Sequence, residues 1–106
     1  MITLESLSTP LFNPDVTQGL LQDLQQDGLP WLDGRLTAGL QAAEVKRNHQ
    51  LDPSCDVAQR TIRLVREQIC QNPLIKSWSL IKNVHSLIIS RCDVGDGYGW
   101  HVDNPF

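Results

Sequence analysis

The sequence predicts a mixed α+β domain with a short antiparallel sheet. Three stretches carry that prediction: an amphipathic helix opening at Asn13, a second helix running to about Gln71, and a β-branched strand over residues 84–92. The whole chain is 106 residues, a length at which one core can fold alone, so residues 1–106 read as a single domain.

Residues 4–11 read as either a short strand or an irregular lead-in. Asn13-Pro14-Asp15 is then a helix start. The Asn13 side chain can accept from a free N–H of the first turn, Pro14 has no N–H to lose there, and Asp15 lies near the positive end of the helix dipole. Val16, Leu20, Leu21 and Leu24 form one apolar stripe suited to lying on a sheet, and Gly28 followed by Pro30 stops the helix. Asp33-Gly34 is a turn dipeptide between two short apolar pieces. In residues 43–51, Val45 is the main apolar residue among polar neighbours, so this stretch is either an edge strand or an extended loop facing a polar site.

Asp52-Pro53-Ser54 offers a cap for the second helix. Its apolar positions Ala58, Thr61, Ile62, Val65 and Ile69 recur at helical spacing, while Arg60, Arg63, Arg66 and Glu67 fall largely on a solvated face. Asn72-Pro73 ends it, and residues 78–80 form another short segment. In residues 84–92, Val84, Ser86, Ile88 and Ser90 share one strand face and His85, Leu87, Ile89 and Arg91 the other. Apolar residues on both faces suit a strand covered on each side.

Composition removes several function classes. Hydrophobic residues make up 41% and charged residues 20%, as in ordinary globular proteins. Nine Lys and Arg against twelve Asp and Glu give a net charge of -3, and the densest basic segment is Lys46-Arg47, so no nucleic-acid footprint is present. Runs such as Leu87-Ile88-Ile89 are far too short to span a membrane, and the first residues lack a signal-peptide pattern, so a cytoplasmic protein is expected. Cys55, Cys70 and Cys92 are odd in number and widely spaced, which suits reduced, mostly buried thiols.

The chemistry is concentrated near Gly95-Asp96-Gly97-Tyr98-Gly99-Trp100-His101-Val102-Asp103. In an extended strand His101 and Asp103 point to the same face and present an imidazole beside a carboxylate. That is two thirds of the His-His-carboxylate facial triad that holds non-haem iron(II). His85 sits among apolar residues as a strand histidine, and His49 either lines a pocket or is simply exposed. Neither is an evident third ligand. A phosphate cradle is excluded, because the glycines lack the Lys and Ser/Thr of a P-loop and lead into a strand.

Residues 92–104 resemble the Tyr-x-x-Gly-x-x-Tyr-x-x-His-x-Asp signature of the prolyl-4-hydroxylase-like iron(II)/2-oxoglutarate dioxygenases. More narrowly, they resemble the PKHD-type, PiuC-like hydroxylases. Trp31, Asp33-Gly34-Arg35, Thr37, Gly39, Lys46, Asn48 and Gln50-Leu51 are similar to the same family's N-terminal pattern, so the resemblance runs from about residue 13 to residue 106. It implies N-terminal helices packed on the first strands of an incomplete double-stranded β-helix, or jelly roll. It further implies His101 and Asp103 as iron ligands, Tyr98 in the 2-oxoglutarate pocket, and Lys46, Asn48 and Trp100 near the site.

The implied cofactors are iron(II), 2-oxoglutarate and ascorbate, with oxygen as co-substrate. The signature's first Tyr is Cys92 here, and a thiol is a much weaker donor to a co-substrate. Family members continue into a segment carrying the second iron-binding His and an Arg for the far carboxylate of 2-oxoglutarate. The barrel is therefore expected to be truncated after the His-x-Asp motif, with little turnover by this chain alone. The alternative is a non-catalytic remnant acting as a binding or self-association module, forming a homo-oligomer through an open sheet edge.

Overall fold

A computed structural model describes residues 8–37 and 45–100 and shows an α+β arrangement of short antiparallel sheets and helices. The elements are α1 (Pro14–Leu24), β1 (Trp31–Asp33), a 3-10 turn (Gly34–Thr37), β2 (Lys46–Arg47), β3 (His49–Leu51), α2 (Asp56–Gln71), α3 (Pro73–Ser79), β4 (Ser90–Arg91) and β5 (Gly97–Tyr98). They form one sheet of order β1-β3-β4 and a second, β2-β5, with every pairing antiparallel.

Local chemistry sets the helix boundaries. Asn13 caps α1, its side chain accepting from Val16 N–H at 3.0 Å. The same dipeptide recurs at Asn72-Pro73, which closes α2 and opens α3 at once. Asn72 Oδ1 accepts from the N–H groups of Leu74 and Ile75 at 3.0 and 3.1 Å. Asn-Pro is thus a start signal as well as a stop, and α3 occupies a stretch in which the sequence predicts only a short segment at residues 78–80. Asp52-Pro53-Ser54, where the sequence offers a cap for α2, does not supply it, and Asp52 does not reach the helix. It folds back on Ser54, accepting from its N–H at 2.9 Å and its hydroxyl at 2.8 Å, and Cys55 takes the N-cap position with no side-chain bond.

The helices lie on the sheet through a small core. Leu51, Val57 and Ala58 are buried, and Leu24 of α1, Trp31 of β1, Ile62 of α2 and Ile89 pack against them. On α2 the apolar stripe faces inward: Ala58 and Thr61 are buried, and Ile62, Val65 and Ile69 are half-buried. Burying a side chain such as Leu51 contributes about 2 kcal/mol. Cys55 and Cys70 are half-buried and Cys92 is exposed, all three as free thiols, so the expectation of mostly buried cysteines is corrected. Cys92 lies just beyond the last paired residue of β4, where the chain leaves the sheet.

The strand expected over residues 84–92 is regular only at Ser90–Arg91. Antiparallel pairing aligns Gln50 with Ser90 and His49 with Arg91, and Leu51 N–H donates to Ile89 C=O at 2.9 Å. The next partner, Asp52, donates instead to Pro30 C=O at 2.9 Å, and Pro53 has no N–H to offer. The ladder therefore runs out. Alternating side chains prescribe which faces need cover, but a strand also needs a partner backbone.

Candidate functional site

The site is assembled where the glycine turn returns to β2. Asp96 N–H donates to Asp93 C=O at 2.9 Å, and Asp96 Oδ2 accepts from Asp93 N–H at 2.9 Å, closing a turn through Gly95 at φ 92°. That turn lays Gly97–Tyr98 antiparallel to Lys46–Arg47, with Lys46 opposite Tyr98 and Arg47 opposite Gly97. Gly99 N–H extends the contact to Val45 C=O at 2.9 Å. A side chain at Gly99 would bring its Cβ to 2.8 Å from Val45 Cβ, so the close approach depends on glycine.

Lys46 is buried, with its Nζ 5.3 Å from the centroid of the half-exposed Tyr98 ring. A cation held against an aromatic face is favoured by about 0.5–2 kcal/mol, more as water is removed. Beside it a cavity of about 250 Å³ is lined by Asp33, Arg35, Lys46, Arg47, Asn48, His49 and Asp96. Its volume suits a small polar molecule rather than a large one.

Asp33 and Arg35 form a fork on the cavity wall, with Arg35 Nη2 2.6 Å from Asp33 Oδ2. The Arg35 side chain, and then the Arg35 N–H, hold the Asp33 carboxyl down at about 2. Gly34 between them donates to Asn48 C=O at 3.0 Å, so close that an added Cβ would overlap Asn48 Oδ1. This packing brings the Asp-Gly-Arg turn against the Lys-x-Asn stretch.

A second charge cluster ties the glycine turn to the three-stranded sheet. His49 Nδ1 lies 3.9 Å from Asp93 Oδ2 and 3.8 Å from Asp96 Oδ2, and Arg91 Nε lies 3.3 Å from Asp93 Oδ1. These one-nitrogen, two-carboxylate donors lie within 4.8 Å of one another, a donor set a divalent cation can use. Both carboxylates are already engaged, however, Asp93 by Arg91 and Asp96 by the Asp93 N–H. At these separations His49 Nδ1 makes no hydrogen bond to either carboxylate.

The structure therefore brings Lys46 and Asn48 together on one cavity wall and sets Tyr98 directly across from Lys46. Cys92 is exposed next to Arg91, and Trp100 is fully exposed and does not line that cavity. His101 and Asp103 lie outside the described residues. Sequence reasoning did not select Asp33, Arg35 or Asp96 as cavity residues. The signal was the Asp33-Gly34-Arg35 turn, whose two charged ends become a wall only once Gly34 packs on Asn48.

Comparison with known proteins then decides the family. The chain is 50% identical over 103 residues to a PKHD-type hydroxylase of Synechococcus sp. strain CC9902, a match covering 97% of this chain and 46% of that protein. A PKHD-type hydroxylase of Synechococcus sp. strain CC9605 is 52% identical over 87 residues, covering 82% of this chain and 39% of the relative. By this match the chain belongs to the PKHD-type hydroxylases. One from Prochlorococcus marinus strain MIT 9313 is 43% identical over 97% of the chain and 47% of its own length. The resemblance is to the family's N-terminal portion, and the chain spans about half the length of the curated relatives it matches. No protein-family model matches the chain, and no solved structure matches it. Among the described residues no helix is long and apolar enough to cross a membrane.

Proposed function

We propose that this chain contributes the first half of an iron(II)- and 2-oxoglutarate-dependent hydroxylase site, with His101 and Asp103 as two metal ligands. The observation that carries the proposal is the 50% identity to a PKHD-type hydroxylase across 97% of the chain, a span that takes in His101-Val102-Asp103. An imidazole nitrogen beside a carboxylate oxygen is a donor set suited to iron(II).

The described residues support a co-substrate site beside Lys46. Lys46 is buried, lines the cavity together with Asn48 and holds its ammonium over the ring of Tyr98, which stands three residues before the triplet in the sequence. A cation and a phenol there would hold and orient a dicarboxylate such as 2-oxoglutarate. Cys92 and Trp100 are exposed and do not line the cavity. Iron with 2-oxoglutarate and oxygen, kept reduced by ascorbate, would supply the oxidising power for hydroxylation. The chain's own residues would bind and orient the co-substrate. The second His and the carboxylate-binding Arg come, in this reading, from the part of the relatives' length that this chain does not span. The substrate would be met in the cytoplasm.

Incubating the 106-residue chain with iron(II), ascorbate and 2-oxoglutarate is expected to release little succinate, and robust catalytic release overturns that part of the reading. The rival reading is a non-catalytic module that self-associates through the outer edge of β4, which has no neighbour among the described residues. A dimer by light scattering favours the rival, and a monomer weakens it.

A further inference from the structure

Residues 84–91 join a strand-like sequence to an unfinished ladder. Beyond the contact of Ile89 with Leu51, the backbone of residues 85–88 has no hydrogen-bond partner among the described residues. Among the described residues β4 ends the sheet on that side, and its outer edge has no neighbour. Sheet edges that remain in water are blunted by Lys, Glu or Pro, yet Val84-His85-Ser86-Leu87-Ile88-Ile89 contains none of these.

Exposed large apolar residues are concentrated in the same stretch of the sequence. Seven of the nine exposed large apolar residues among those described fall within residues 74–100, including Trp78 at 58%, Leu80 at 78% and Ile88 at 59% exposure. Ile88 lies within the unpaired segment itself, so a strand added there would cover it.

The length comparison indicates which polypeptide. The chain matches 46% of the Synechococcus CC9902 relative through 97% of its own length, so more than half of the family's sequence has no counterpart within these residues. We propose that residues 84–91 and the flanking apolar side chains are the docking face for a polypeptide carrying that remaining part of a PKHD-type hydroxylase. It would add a strand beside β4 and cover Ile88. The inference rests on family membership and not on the iron chemistry, and its test uses no cofactor.

The test is co-expression of the full 106-residue chain with a tagged segment of the CC9902 relative, comprising the residues beyond the match. A one-to-one complex is expected, with amides 85–88 exchanging at least about tenfold more slowly than in the chain alone. Ile88→Lys should lower the captured amount about tenfold, whereas Leu21→Lys on α1 should leave it unchanged. Circular dichroism checks that both variants remain folded.

Two soluble partners that do not associate overturn the proposal. So does a complex in which amides 85–88 exchange unchanged, or a homodimer of this chain that already protects them. Should the segment be insoluble alone, the same exchange is measured on one polypeptide joining chain and segment, and unchanged exchange there also overturns it.

Discussion

Lys46 and Tyr98 are register partners across the β2–β5 ladder, and the Lys46 ammonium stands 5.3 Å from the centre of the Tyr98 ring. Lys46 is only 8% exposed, so its charge is largely removed from water and its surroundings must supply compensation. A double-mutant cycle of Lys46→Met and Tyr98→Leu should give a coupling of about 1 kcal/mol in urea unfolding. Tyr98→Phe, which keeps the ring, should leave most of that coupling in place. Strict additivity in the cycle contradicts a direct contact.

Gly34 holds the Asp33–Arg35 fork against Asn48. Adding a methyl group there overlaps Asn48 Oδ1 and comes within 3.0 Å of the Asn48 carbonyl oxygen. Gly34→Ala should therefore destabilise the chain by about 1–3 kcal/mol, the usual range for overpacking. In an Asn48→Ala background the loss should shrink, because one of the two overlapping groups is gone. An equal loss in both backgrounds would mean that backbone crowding alone matters.

Asp33 titrates at about 2, against 3.8 for an ordinary Asp, chiefly because Arg35 hydrogen-bonds its carboxylate through the side chain and the N–H. A depressed carboxyl favours the folded state above the ordinary value, and that contribution is lost as pH falls from 3.8 towards 2. The pair is exposed, so its effect belongs to titration rather than to large stability changes. Carboxyl carbon shifts followed by NMR should show the Asp33 midpoint near 2 in the native chain and nearer the ordinary value in Arg35→Gln. An unchanged midpoint in that variant contradicts the assignment to Arg35.

How much of this was legible in the sequence depended on the range of the interactions. The cap at Asn13 was legible because an N-cap is satisfied within three residues, and the inward stripe of α2 because helical spacing is local. The helix after Asn72 was missed although it carries the same Asn-Pro signal, because that dipeptide had been assigned only a terminating role. The strand over residues 84–92 was overextended: its alternation is genuine, but its length depends on Asp52 and Pro53, which end the partner ladder. The pairing of Lys46 with Tyr98 could not be read from either stretch alone, since register between distant strands is decided by the turns that deliver them.

Leu80 at the C-cap of α3 adopts a left-handed conformation, φ 55° and ψ 29°, while its side chain is 78% exposed. A β-carbon in that region costs about 1–2 kcal/mol, and the exposed leucine recovers little by packing within the chain. Leu80→Gly should raise stability by about 0.5–1 kcal/mol after allowing for the greater freedom of glycine in the unfolded chain. Urea midpoints measure it, and a lower midpoint would show that Leu80 has packing value.

The most direct test of the central proposal is iron-dependent conversion of 2-oxoglutarate to succinate by one polypeptide. That polypeptide joins this chain to the residues of the Synechococcus CC9902 relative that lie beyond the match. The prediction is succinate release that requires iron(II) and falls by at least about a hundredfold in both His101→Ala and Asp103→Ala, since each removes a metal ligand. A folded fusion that releases no succinate, or one whose release survives both substitutions, contradicts the assignment of His101 and Asp103 to the metal.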